Sequence, residues 1–277
     1  MFGTQFLVNQ KFARHTGDGA HAALRFQLGC NLGGLAVLTA VILFRQGGRF
    51  SVGGFGAFTV LMAALSACNS ILYTFCSLRA LREINLSLYS VFSMLGGMLL
   101  PFLLGVTVFR EELSLGKLLS VLCIALALAV TVRGGMKSSD ALMCAGIFVL
   151  NGMNGVISKV YQSASCVKAD EYGFMFTSAA VSALISACAL LFLRGGEKTD
   201  GRSAAVMALS GTLSYTANLI LLLALAHVPA SAQYPLVTGG VMAVSTLLSY
   251  FTGSKPSPRE LLSVGIAVLG IFLMVLV

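Results

Sequence analysis

The stretch ALREINLSLYSVFSMLGGMLLPFLLGVTVFREELSLGKLLSVL, residues 80–122, decides the fold. Between Glu83 and Arg110 it carries no charged side chain, and Arg110-Glu111-Glu112 then interrupts the apolar run before another begins. A run of that length crosses a bilayer, since the hydrocarbon takes roughly 20 helical residues at about 1.5 Å each. The rest of the chain is written the same way. Of its 277 residues 57% are hydrophobic and 10% charged, and the mean hydropathy is +0.90. The 18 Lys+Arg and 10 Asp+Glu fall between the apolar runs or at their ends. A soluble helix would intersperse such charges to make a wet face. The pattern is that of an all-α, polytopic helical membrane protein.

Nine full-length spans can be read, at about 24–44, 53–78, 86–109, 115–132, 141–161, 172–193, 203–226, 229–251 and 260–277. The connections are short and rich in turn-formers, such as RQGGR at 45–49 and RGGEKTDGR at 194–202. In front stands MFGTQFLVNQKF, residues 1–12, which is helix-like and apolar but too short to span. It reads as the second half of a tenth helix, helix 1, whose beginning lies upstream of Met1. The net charge of +8 is spread over many loops, where it serves topology and anionic headgroups; it forms no nucleic-acid patch. Six of the seven cysteines sit inside apolar runs without metal-ligand spacing, and read as small buried residues with no disulfide. Trp is absent, so Tyr and Phe must supply any interfacial belt.

An internal repeat supports the count of ten. LLSV occurs at 118–121 and again at 261–264, and Gly96-Gly97 has a counterpart in Gly239-Gly240 at the same offset. Lys11 and Lys159 each close the first run of their half. Five helices per half is an odd number, which forces the halves into opposite orientations. That is the inverted-repeat architecture, with a substrate site near the midplane between the repeats.

This layout resembles the drug/metabolite transporter superfamily, EamA type. The resemblance rests on the five-plus-five helices, Ala-Leu-Arg-Phe at 23–26 opening helix 2, the two closing lysines, and the passage 80–122 as helix 4, acidic loop and helix 5. It covers nearly the whole chain. It implies a first EamA-like repeat over 1–137 and a second over 138–277, with both termini in the cytoplasm. The chain departs from the pattern in its truncated helix 1 and in Ser254-Lys255, which stand where the first half has Glu111-Glu112.

Polar residues at helical spacing inside apolar runs point to a pathway, because each needs a partner away from lipid. Asn151, Asn154 and Ser158 form one stripe on helix 6; Ser66, Asn69 and Tyr73 form another on helix 3. Helix 8 offers Ser210, Ser214 and Asn218, helix 4 Ser90 and Ser93, helix 1 Gln5 and Asn9. Helix 9 offers Ser231, Gln233, Tyr234 and Thr238, whereas helices 5 and 10 are almost purely aliphatic. A central cavity lined by Asn9, Asn69, Tyr73, Ser93, Asn151, Asn154, Ser158, Asn218, Gln233, Tyr234 and Thr238 follows, with Lys11 and Lys159 at its mouth. The competing reading is interhelical hydrogen-bond glue, worth about 0.6 kcal/mol per bond. It is favoured for the Ser and Thr, while the Asn pair on helix 6 favours the cavity. Pro101 and Pro235 are expected to kink their helices.

No acidic residue lies inside a complete span, and no HExxH, GxSxG or phosphate loop is present. The expectation is therefore a secondary transporter, exporter or exchanger, of a small polar metabolite such as an amino acid. It is no enzyme, needs no cofactor or metal, and works by alternating access in the cell membrane. Its partners would be lipids and a small-molecule substrate, with homodimerisation left open and nucleic acid excluded. The alternative is an integral-membrane enzyme acting on lipid or a non-transporting membrane subunit. Topology divides two signals: the odd-numbered connections hold twice the Lys and Arg of the even ones, which would place the C-terminus outside. The resemblance implies the reverse, so the absolute topology stays open between the two signals, with a slight lean to the resemblance because the packing of related helices constrains the fold and the bias is only twofold. A reporter fused after Val277 is expected to read as cytoplasmic; activity confined to the far side would reverse the assignment.

Overall fold

The computed structural model describes residues 1–15, 19–53, 56–108, 114–132, 138–193, 200–225, 237, 240–241, 244–249 and 256–276. Ten helices follow one another, with no strand among the described residues. They are α1 (Phe2–His15), α2 (Ala20–Arg45), α3 (Ala57–Glu83), α4 (Leu86–Thr107) and α5 (Leu115–Val132). The second series is α6 (Ser138–Ser163), α7 (Glu171–Phe192), α8 (Gly201–Leu225), α9 (residues 237, 240–241 and 244–249) and α10 (Pro258–Leu276). Five of them, α2, α3, α4, α6 and α7, are long and apolar enough to cross a membrane.

The boundaries depart from the expected spans chiefly at α3. It starts at Ala57, not near 53, and continues beyond the apolar run through Arg79, Arg82 and Glu83. Hydropathy marks where the lipid ends, but backbone hydrogen bonding ends a helix, and that bonding runs on to Ile84 N–H and the Ala80 carbonyl. Arg82 turns back to donate to the Ala13 carbonyl near the end of α1. Elsewhere the ends have ordinary causes. Asp170 caps α7 by accepting from Gly173 N–H at 2.7 Å. The chain leaves α2 through Gly47 and Gly48, with φ of 61° and 88°, values that L side chains avoid. Pro101 lies inside α4, which continues past it to Thr107.

The bundle buries uncharged polar side chains within an apolar core and is apolar on its outside. Buried residues include Gln10, Gln27, Asn31, Asn69, Ser93, Ser182 and Ser210, and none of the buried polar side chains among the described residues carries a formal charge. Large apolar side chains point outward instead: Leu142 is 76% exposed, Phe192 85% and Phe44 90%. In water that arrangement would waste about 25 cal/mol for each Å² of exposed apolar surface. Against lipid it costs nothing. The cysteines divide along the same line. All seven are free thiols, as expected, but only Cys144 is buried, while Cys68, Cys166 and Cys188 are exposed.

Helix packing is partly symmetric under the exchange of the two halves of the chain. Exchanging each helix for the one five places on turns α3–α6 into α8–α1 and α3–α7 into α8–α2, and leaves α2–α7 and α5–α10 unchanged; all of these pairs are in contact. The α4–α6 contact has its image between α1 and α9, where Gly3 sits on Val244 as Gly152 sits on Leu100. The match is incomplete. α3 also touches α1 and α2, and the images of those contacts, α8 with α6 and α7, are absent from the substantial contacts among the described residues.

Glycines set how close the helices come. In α4–α6, a Cβ on Gly152 would stand 2.7 Å from the Gly96 carbonyl oxygen, and one on Gly97 would stand 2.7 Å from Asn151 Nδ2. In α2–α8, a Cβ on Gly33 would stand 2.6 Å from the Ala208 carbonyl oxygen, and one on Gly211 would run into the Cys30 carbonyl. Small residues permit such approach where the hydrophobic effect cannot drive helices together. Gly211→Val is therefore expected to force α2 and α8 apart and to reduce folded, monodisperse protein in detergent severely. Gly265→Ala, on an exposed face of α10 with open space around it, serves as the control and should leave the yield unchanged.

Candidate functional site

Two hydrogen-bonded networks of uncharged side chains run through the bundle and meet on α3. The first joins α3, α4 and α6. Asn69 Nδ2 donates to Asn154 Oδ1 at 2.8 Å and to the Leu150 carbonyl at 2.9 Å. Asn151 Nδ2 donates to the Ser93 carbonyl at 2.6 Å. The Tyr73 hydroxyl lies 2.9 Å from Ser93 Oγ and 2.8 Å from the Tyr89 hydroxyl, which in turn lies 2.6 Å from Ser77 Oγ. The edge of Tyr89 rests against the Phe6 ring at 5.1 Å and so ties this network to α1.

The second network centres on α2. Gln27 Nε2 and Asn31 Nδ2 donate to Ser182 Oγ on α7 at 3.1 and 2.8 Å. The Tyr215 hydroxyl on α8 donates to Asn31 Oδ1 at 3.1 Å, and Thr74 Oγ1 on α3 donates to Gln27 Oε1. Tyr73 and Thr74 are neighbours in sequence, so α3 turns one hydroxyl toward each network. A third link repeats the first by the exchange of halves: Ser210 on α8 donates to Asn9 on α1, as Asn69 on α3 donates to Asn154 on α6.

Of the residues expected to line a cavity, Asn69, Tyr73, Ser93, Asn151 and Asn154 are brought together, and Asn9 is held in the equivalent link of the other half. Asn218 is turned back onto its own helix, donating to the Ser214 carbonyl at 2.9 Å. Ser158 and Lys11 are exposed, and Lys159 is half-buried. Gln233, Tyr234 and Thr238, with Ser231 and Pro235, lie outside the described residues. The amides of α6 are thus engaged between helices, and their amide groups still have hydrogen-bonding capacity, because Asn151 and Asn154 are only half-buried.

The polar stripes are not confined to helices 1, 3, 4, 6, 8 and 9. Gln27 and Asn31 on α2 stand at i and i+4, and Ser178, Ser182 and Ser186 on α7 stand at i, i+4 and i+8. The periodicity that exposes the α6 stripe would have found both. Even the aliphatic pair α5–α10 has a polar stitch, from Ser263 Oγ to the Ala127 carbonyl at 3.0 Å. Several buried polar atoms have no partner among the described residues: Gln10 Nε2, beside Asn9 on α1, and the hydroxyls of Ser178 and Ser186 on α7 and Ser120 on α5. A buried donor without a partner costs about 1–3 kcal/mol.

Chemically the seam offers amides and hydroxyls only. It can hold a polar solute by neutral hydrogen bonds. No group of three or more His, Cys, Asp or Glu side chains converges on a metal-sized space among the described residues.

No family model and no curated protein matches the chain. Among solved structures, a protein crystal structure matches 99% of this chain and 95% of its own, with a TM-score of 0.56 and 21% identity. That likeness concerns the fold alone.

Asn31 and Gln27 each join three helices, Asn31 linking α2 to α7 and α8 and Gln27 linking α2 to α7 and α3. Asn31→Leu is expected to lower stability in detergent by about 1–2 kcal/mol, since bonds of this kind average about 0.6 and reach about 1.7 kcal/mol. Asn218→Leu, which severs only a bond within α8, should change the melting temperature by less than half as much.

Proposed function

We propose that this chain is a secondary transporter of a small polar metabolite, such as an amino acid or a related compound, in the cell membrane. In this reading the halves 1–137 and 138–277 form the inverted repeat of an EamA-type drug/metabolite transporter. They rock against each other about the polar seam in alternating access. The observation that carries the proposal is the uncharged seam, one of whose links has a counterpart under the exchange of halves. Asn69–Asn154 and Ser210–Asn9 both join the first helix of one half to the third helix of the other. Gln10 Nε2, buried next to Asn9 and without a partner among the described residues, adds a donor that a solute could meet.

Neutral amide and hydroxyl lining suits neutral or zwitterionic solutes, with Lys11 and Lys159 biasing the mouth toward anionic groups. Substrate binding would compete with the interhelical bonds of Asn69, Asn151 and Asn154. Those bonds are weak in a membrane, on the order of 0.6 kcal/mol, so a substrate able to replace them shifts the bundle at small cost.

The test is uptake of labelled metabolites into liposomes holding the purified chain, with Asn151→Leu and Asn154→Leu beside it. Both variants should accumulate and melt within about 2 kcal/mol of the parent. Asn151 lies against Gly97, where leucine occupies much the same space, and Asn69 keeps its bond to the Leu150 carbonyl when Asn154 is replaced. Uptake should fall at least about tenfold, because a site built to hydrogen-bond its substrate penalises a missing partner strongly. Normal uptake by both variants would reduce the stripe to packing. Folded parent protein that moves none of the metabolites would turn the reading toward a membrane enzyme or a non-transporting subunit.

A further inference from the structure

Away from the seam, the end of α2 and the start of α7 enclose a cleft lined by Ile42, Arg45, Gln46, Ser51, Asp170 and Tyr172. Arg45 closes α2 directly after Phe44, which is almost fully exposed on the apolar exterior. The cleft therefore opens at the level where hydrocarbon gives way to headgroups. Its two charges face each other with Arg45 Nη1 3.9 Å from Asp170 Oδ2. That is an attraction without a hydrogen bond, since N–H···O bonds end near about 3.2 Å.

Each charge is held on one side and open on the other. The Tyr172 ring lies 4.3 Å from the Arg45 guanidinium carbon. Asp170 Oδ1 is occupied by the Gly173 N–H, which leaves Oδ2 toward the cleft. The side chains remain 53% and 63% exposed. An exposed ion pair of this kind contributes little, so separating its members for a ligand costs little. The third wall is preformed. Gln46 brackets Ser51, donating from Nε2 to its carbonyl at 2.7 Å and accepting its N–H at 2.8 Å, and Phe50 packs on Phe176 at 5.3 Å.

We propose that this cleft binds a phosphoethanolamine group, an anionic phosphate and a primary ammonium carried a few ångströms apart. The group could arrive as an aminophospholipid headgroup or free in water. Its phosphate oxygens accept from the Arg45 guanidinium, a planar fork suited to phosphate. Its ammonium donates to Asp170 Oδ2. A purely anionic headgroup would meet the Asp170 carboxylate, and a choline headgroup has no N–H to give it. None of these residues takes part in the seam, so the site stands or falls independently of transport.

The experiment is native mass spectrometry of the full chain in detergent supplemented with phosphatidylethanolamine, phosphatidylcholine or phosphatidylglycerol of identical acyl chains. Retention of phosphatidylethanolamine should exceed that of the other two by about tenfold, the worth of one charge-assisted hydrogen bond. Asp170→Asn keeps a capping side chain and should bring phosphatidylethanolamine down to the phosphatidylcholine level; Asp170→Ser replaces it if the Asn variant does not melt like the parent. Arg45→Gln should lower retention of both. Displacement of the lipid by added phosphoethanolamine would mean that the headgroup suffices. Failure to displace it, with the variants still losing the preference, would mean that the acyl chains are needed as well. Equal retention of phosphatidylethanolamine and phosphatidylcholine by the parent, or a preference unchanged in the Asp170 and Arg45 variants, would overturn the site.

Discussion

Hydrocarbon offers no hydrogen bonds, and the rest of the structure depends on that constraint. Backbone N–H and C=O groups are satisfied within helices, which is why the described residues form helices and no strand. The same demand falls on side chains. Gln27, Asn31, Asn69, Asn151 and Asn154 cannot point at lipid without cost, so they turn inward and find a hydroxyl, another amide or a carbonyl. The exterior is left to Leu, Val and Phe, which lipid accommodates freely.

Turning polar groups inward does not itself bring helices together. Close approach comes from glycine. Gly33 and Gly211 let α2 and α8 meet backbone to backbone, and Gly96, Gly97 and Gly152 do the same for α4 and α6. Once the backbones are that close, short amides such as Asn151 can reach across to a carbonyl on the facing helix. The two devices work together: small residues provide contact area, and the amides fix which faces meet. Each bond is weak, so the interfaces are specific without being rigid.

The architecture was largely legible in the sequence. α5 is found where the apolar run 115–132 placed it, and α6, α7, α8 and α10 lie within a few residues of their runs, because hydrophobic length and the position of charges are local properties. α3 was misplaced at both ends for the same reason in reverse, since a helix ends where its hydrogen bonds end and these ran past Arg79 and Arg82. The stripe on α6 was legible, and so were those on α2 and α7, had Gln27 and Asn31 been read with the same periodicity. Asn218 shows the limit of that method. Its spacing from Ser210 and Ser214 is right, but its amide turns back to the Ser214 carbonyl, a choice of rotamer that spacing does not reveal.

By itself, then, the sequence determined that this is an all-α, apolar-sided helical bundle, since helix length and apolarity are properties of the chain read in order. Which polar residues meet was decided only by the tertiary structure. The partners of Gln27, Asn31, Asn69 and Asn9 lie between 47 and 201 positions away, on helices whose rotation about their own axes no local pattern specifies. The facing of Arg45 and Asp170 at the rim is of the same kind: two unremarkable charges at helix ends in the sequence become one cleft when α2 packs on α7. Local chemistry sets what a segment is, and packing sets what it touches.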